Sequence, residues 1–277
     1  MRGYKKYFTS SILPILFLLL WQYYSSVIDK PIIMPSVLSV FNILRYPTMD
    51  LLSIGSLTGN TFISILRVII GYFLAILVAV PTGMIIGYSR RLDIVVMPFL
   101  NMFRPIAPLA WVPLVLAWFG ISSLATIFQI ENLKWYVFFN NIKISMIFII
   151  FIGAFFPILT NSIYGVKSVR VTLIDSAMTL GADKWTVFRK VLLPASLPSI
   201  VTGLRVGLGV AWMCLVSAEM LPGSLAGVGY LITHAYTVAR TDIVIAGMIS
   251  ISLVGGVIDH GFQMIERRYF KWQRMEK

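Results

Sequence analysis

The chain is 277 residues long, 58% hydrophobic and only 12% charged, and it carries a formal net charge of +12. Soluble domains hold about 25% charged residues. The polar surface here cannot cover a water-soluble globule, so composition defines an integral membrane protein. The single cysteine, Cys214, excludes an intrachain disulfide framework and any cysteine-cluster metal site.

A helix needs roughly 20 apolar residues to cross the hydrocarbon. Six segments are predicted to do so, at about 10–28, 61–88, 95–119, 144–165, 195–217 and 241–263. The first follows MRGYKKYFTS. A basic start and an apolar core suit a signal peptide, but the core ends in WQYYSSVID without a small-residue cleavage site, so an uncleaved first helix is expected. The second is the longest and is expected to tilt or to extend past the bilayer. The third contains FRPIAPLAW, whose prolines free backbone groups and predict an irregular helix lining a cavity.

Six spans place both termini on one side. That side holds Arg2, Lys5, Lys6, Arg90, Arg91, Lys167, Arg170, Lys184, Arg189, Lys190 and the five cations beyond residue 266. The other holds Lys30, Arg45, Lys134, Lys143 and Arg240. The positive-inside rule therefore puts both termini in the cytoplasm of a multi-pass cell-membrane protein. Orientation and lipid contact account for the net charge, and no nucleic-acid partner is needed.

Between the fourth and fifth spans, residues 166–194 are too polar to cross and too patterned to be a linker. Ile174, Ala177, Met178 and Gly181 recur at helical spacing and predict a short helix with one apolar face. Gly181 permits a left-handed turn that ends it. Asp183 is placed to cap a second helix, whose apolar face is Val187, Phe188, Val191 and Leu192. Pro194 and Pro198 then open the next span. The product is a helix–turn–helix knob on the cytoplasmic face. These residues alone leave two readings open, a helix resting on lipid headgroups and a surface docked on another protein.

The same stretch resembles the cytoplasmic signature of permease subunits of binding-protein-dependent ATP-driven importers. That signature reads E-A-A, three residues, G, nine residues, I, one residue, L-P. Here Asp175-Ser176-Ala177 is followed by three residues, Gly181, nine residues, Val191, Leu192 and Leu193-Pro194, without a gap. RPIAPLAWVPLVLAWFG, FIGAFFPILTNSIYGV, TGLRVGLGVAWMCLVSAEML and TDIVIAGMISISLVGGVID resemble the nitrate/sulfonate/taurine/bicarbonate branch. Together these segments cover most of the chain from about 60 to 262.

The resemblance implies an all-α, six-helix type I permease. It assigns 1–56 to a tail, the first helix and an external amphipathic segment, 57–263 to the permease domain, and 264–277 to a basic cytoplasmic tail. It also implies that the helix around Asp175, Ser176, Ala177, Met178, Gly181 and Ala182 is a coupling helix seated on an ATPase subunit, with Val191, Leu193 and Pro194 anchoring it to the next span. The implied partners are an ATPase dimer, an extracytoplasmic solute-binding protein, a second permease copy and membrane lipid. ATP and Mg would reside on the ATPase, with no cofactor in this chain. The cargo would be a small anion such as nitrate, an alkanesulfonate, taurine or bicarbonate. Residues 122–146, including IENLKWYVFFNNIK, are an insertion relative to the family and are expected outside, either as an amphipathic helix with Trp135, Phe138 and Phe139 at the interface or as a contact with the binding protein.

Arg67, Arg104 and Arg205 lie in predicted spans, where a cation at the bilayer centre costs at least ~2.5–3.5 kcal/mol unless it faces protein or water. Arg67 is expected to be structural. Arg104 either snorkels to the cytoplasmic interface or lines an anion path. Arg205 either pairs with a carboxylate elsewhere or lines the same path. Glu219, ahead of the glycine-rich PGSLAGVG, either shapes an external gate or is a helix-end charge; the segment lacks the Gly-Lys-Ser/Thr ending of a P-loop. His234 stands without neighbours at metal-ligand spacing, and no nucleophile–base arrangement occurs. Translocation without chemistry is the expected activity, with ATP handled by another chain. A secondary transporter or channel should show an internal repeat and midplane carboxylates, and a membrane enzyme should show clustered His or carboxylates. Neither pattern is found, and neither class needs the 175–194 signature.

Overall fold

The computed structural model describes residues 2–120, 122–220 and 223–269. The cations expected beyond residue 269, and Leu221 and Pro222 of the expected gate segment, lie outside the described residues. α1 (Arg2–Ile28) leads through a turn at 30–34 to α2 (Val37–Arg45). α3 (Leu57–Tyr88) and α4 (Arg90–Phe103) follow. Ser36, Ser56 and Ser89 begin α2, α3 and α4, each hydroxyl accepting a hydrogen bond from a first-turn amide. α5 (Val112–Phe119), α6 (Leu124–Ile127) and α7 (Leu133–Asn140) precede α8 (Ile144–Lys167). The knob is α9 (Val171–Thr179) and α10 (Lys184–Val187). α11 (Leu193–Glu219), α12 (Val228–Thr237) and α13 (Thr241–Tyr269) complete the chain.

α8 is the central helix and the most buried of the long ones, with α3 and α11 packed along it and α13 outside. Helices in lipid gain little from apolar burial against each other, so association depends on close backbone approach at small residues. A Cβ at Gly83 of α3 would lie 2.6 Å from the Ser162 side chain of α8, and one at Gly207 of α11 would lie 2.7 Å from Ile158. Gly71 likewise meets Ile150, and Gly165 meets Ser199, so α3 runs parallel and α11 antiparallel to α8. One end of the bundle therefore carries Tyr88, Lys167 and the knob. The far end carries Leu57, Ile144 and Glu219.

The structure corrects the sequence reading in three places. The expected third span is two helices meeting at 84° across a break at 104–107. Pro105 and Pro108 bring no amide proton, and each disfavours helix at the residue before it. Among the described residues four helices are long and apolar enough to cross alone, and the bent pair makes a fifth. The apolar stretch Ile12–Ile28 of α1 is shorter than these, so a count of six is not exact. Finally, Pro194 does not start a separate span. A π-helical turn at Phe188–Leu192, where the Leu193 amide reaches back to the Phe188 carbonyl, joins α10 to α11, so Lys184–Glu219 runs as one 36-residue helix. The wide turn sits directly before the proline, where regular pairing would be lost.

The insertion folds as α6 and α7, closed by an antiparallel bridge between Ser123 and Lys143. Trp135 of α7 is exposed, whereas Phe138 and Phe139 are half-buried.

Candidate functional site: the knob and the charges of the spans

The knob is built from local signals. At the end of α9 the Ala182 amide bonds to the Ala177 carbonyl at 3.0 Å and the Gly181 amide to Met178 at 2.9 Å. With Gly181 at φ +85° this is a Schellman cap, and Ala177 and Ala182 supply its apolar contact. The Asp183 carboxylate then accepts from the Thr186 amide at 3.3 Å and starts α10. Ile174, Ala177, Ala182, Val191 and Leu193 pack around Val187, Leu192 and Val169, which fastens the knob to α8 and α11.

The other side of the knob is unpartnered. Asp175, Ser176 and Pro194 are exposed, and a Cβ at Gly181 would meet no atom within 4 Å. Met178, assigned by its spacing to the packed face, is turned outward and 49% exposed. Ile174 and Ala177 take the packing against the cluster of Val187 and Leu192, and a nine-residue helix has room for only one such line. Leu180 is 89% exposed, with Val171, Leu173 and Trp185 also open. Sequence reasoning missed these four. Leu173 and Leu180 stand seven residues apart, a spacing that marks a second apolar stripe.

The Thr186 hydrogen bond holds the Asp183 carboxyl below the ordinary carboxylate range. Its folded value is depressed, so the cap is complete above the unfolded value of about 3.9 and is lost as pH falls through the lowered one. Amide exchange at Thr186, corrected for intrinsic rates, is therefore expected to stay constant from about pH 8 to 5. Asp183→Ala should accelerate it and Asp183→Asn should not, since Asn caps equally well.

The three intramembrane arginines have different surroundings. Arg67 and Glu219 are an ion pair with both side chains at 0% exposure. Arg67 also donates to the carbonyls of Asn141 and Ala226, and Glu219 accepts from the Ser64 hydroxyl and the Gly229 amide. Asn60 accepts from the Gly227 amide at 2.8 Å. Gly227, at φ +117°, leaves no space for a Cβ beside the Glu219 carboxylate. Glu219 is thus a sealed junction between α3, the insertion, α11, the 223–227 loop and the start of α12.

Arg205 pairs with Asp259 at 2.7 Å and with Glu266 at 3.2 Å, tying α11 to α13 toward the knob end. Arg104 stands at the break after α4, exposed and unpaired with any described carboxylate. Asp93, near the start of α4, pairs with Lys167 at the knob end. Arg104 follows eleven residues later, about 17 Å along the helix axis. Phe103 stacks on Trp111 at 6.3 Å, and the adjoining Val112 and Val115 pack with Met146, Ile149 and Cys214 in the far half of the bundle. Arg104 therefore stands at the bend, about 17 Å along α4 from the Asp93–Lys167 pair.

The described helices form an apolar multi-helix bundle with a capped knob whose outer face is open. The sequence pattern of binding-protein-dependent transport system inner membrane components matches residues 71–271, and the chain belongs to that family. It is 50% identical over 265 residues, 96% of this chain and 92% of the relative, to a Methanocaldococcus jannaschii protein named as an ABC transporter permease. It is 32% identical to a Bacillus subtilis protein named as the aliphatic sulfonates transport permease SsuC, over 95% of this chain and 86% of the relative. It is 33% identical to the taurine transport permease TauC of Escherichia coli, over 76% of this chain and 68% of the relative. The fold is similar to a chain of the MetNI methionine ABC transporter, with a TM-score of 0.61 at 17% identity over 76% of this chain and 94% of that one.

The chain is a type I permease component of an inner-membrane ABC importer, serving a binding protein, and it is not an enzyme. ATP hydrolysis belongs to a separate ATPase. Nothing in these comparisons favours a secondary transporter, a channel or a membrane enzyme.

Proposed function

We propose that the chain forms a homodimer that carries a small anion past the break at Arg104. The observation supporting this is an exposed guanidinium, unpaired with any described carboxylate, at the bend of a broken span. In lipid such a group needs water, protein or a bound anion opposite it, and broken helices are tolerated where they line a cavity. Taurine and an alkanesulfonate, named for the relatives TauC and SsuC, are the first cargoes to try. Nitrate and bicarbonate share their charge. The knob end is cytoplasmic in this reading, in keeping with the distribution of Lys and Arg. Asp175, Ser176, Met178 and Leu180, disposed around Gly181, form the face that meets the ATPase, where ATP and Mg reside. Residues 57–263 are the permease domain. Arg205, held by two carboxylates, contributes to the shape of the path more than to its charge.

A charge-assisted hydrogen bond contributes about 1.5–3 kcal/mol. Arg104→Gln is therefore expected to lower uptake of labelled taurine or sulfonate into reconstituted vesicles by roughly 10- to 100-fold, with Arg104→Lys retaining part of it. The ATPase subunit should still copurify with both variants. Unchanged uptake by Arg104→Gln would remove Arg104 from the path while leaving the family membership untouched.

A further inference from the structure

We infer that Trp111 is a positioning residue for transport: its indole N–H is a latch, paired only when the two arms of the broken span meet at a second angle. In this structure that N–H is buried and has no hydrogen-bond partner. A buried donor left unpaired destabilises the state that holds it, and native proteins leave few groups so. Trp111 ends the 3-10 turn Pro108–Trp111, across the 84° bend from α4.

The acceptor has to come from the chain itself. The indole nitrogen is already covered by the chain's own atoms, so neither lipid nor a second copy reaches it at this angle. Trp111 packs against the cluster of Val115, Ile149, Cys214 and Ala218, and its ring stacks on Phe103. A buried water needs several polar partners, which these side chains do not offer.

Acceptors stand across the bend. The last carbonyls of a helix point along its axis and have no intrahelical donor. At the end of α4 the prolines deepen this deficit. The residue four on from Asn101 is Pro105, and the residue four on from Arg104 is Pro108; neither has an amide proton. The second arm is also built to turn. Prolines stand at its start, and at its end Gly120 takes φ +54°, where a Cβ would meet no atom within 4 Å. The first arm is anchored by Asp93 on Lys167. A swing of the Pro108–Phe119 arm brings the indole N–H to the Asn101 or Arg104 carbonyl, and pairing there stabilises the second angle. A carrier that opens to each side in turn needs two such settings of its spans.

The test is the distance between nitroxides at Val95→Cys and Leu114→Cys, exposed positions on the two arms, in the complex with its ATPase in lipid vesicles; native Cys214 is buried. Pulsed EPR should show two distances whose ratio shifts when ATP is added. Trp111→benzothienylalanine keeps the ring shape and puts sulfur in place of the N–H. It should move the ratio toward the 84° bend by roughly 5- to 100-fold, the worth of one buried donor, and uptake should fall with it. Its thermal unfolding should not drop below the wild type's, because it removes a group that is unpaired at this angle. A single distance with and without ATP would mean a fixed bend. Two distances that the sulfur variant leaves unchanged would mean that the N–H takes no partner. Loss of the folded complex in that variant would mean that the N–H is already paired at rest. Each of these three results overturns the latch. The inference rests on transport by the chain and not on the anion path, because the EPR measurement needs no cargo.

Discussion

Glu219→Gln is expected to destabilise the protein by roughly 3–5 kcal/mol, the range for removing one partner of a buried ion pair, and to cut its accumulation in the membrane sharply. Both side chains of the Arg67–Glu219 pair are fully buried. Neutralising Glu219 leaves the buried guanidinium charge facing only neutral acceptors, the Asn141 and Ala226 carbonyls among them. Arg67→Met strands the carboxylate between the Ser64 hydroxyl and the Gly229 amide, and should be equally damaging. The double variant Arg67→Met, Glu219→Met leaves no uncompensated charge, only neutral groups without partners at about 1–3 kcal/mol each. It is expected to lie between the wild type and the single variants in a thermal unfolding series in detergent. Single variants as stable as the wild type would show that the cluster does not hold the far end together.

Gly181→Val is expected to reach the membrane at normal levels yet lose most uptake. A left-handed residue costs an L side chain about 1–2 kcal/mol, more when β-branched, which alone converts to a 5- to 30-fold loss of the docking-competent turn. The space around Gly181 is empty within the chain, so Val meets no internal clash and the core beneath it is untouched. The injury falls on the turn and on whatever seats against it. Copurification of the ATPase with Gly181→Val should drop in step with uptake, while Gly181→Asn, which tolerates positive φ, should keep a substantial part of both. Full uptake by Gly181→Val would take the knob out of energy coupling.

The features legible in the sequence are those set by short-range chemistry. The φ > 0 turn at Gly181 and the cap at Asp183 depend on neighbours within five residues, and both stand where spacing placed them. The apolar runs announce most of the long helices for the same reason. The Arg67–Glu219 junction was not legible, because its members are 152 residues apart. A charge in a span says that a partner exists and not which one. The insertion drew attention as an external segment, but its Asn141 carbonyl closes on Arg67, and a backbone acceptor carries no sequence signature. The prolines of FRPIAPLAW announced irregularity, yet hydropathy alone continued the span across an 84° bend. Met178 shows the remaining difficulty: on a nine-residue helix one position decides between the packed face and the open one.

The unbroken run from Lys184 to Glu219 links the knob to the sealed junction at the far end. At 1.5 Å per residue its 36 residues make a rod of about 54 Å. A 5° swing about one end of such a rod displaces the other by on the order of 5 Å, a whole helical turn. A displacement at one end of the run is thus felt at the other, and the π turn marks where the regular helical pairing changes, close to the knob.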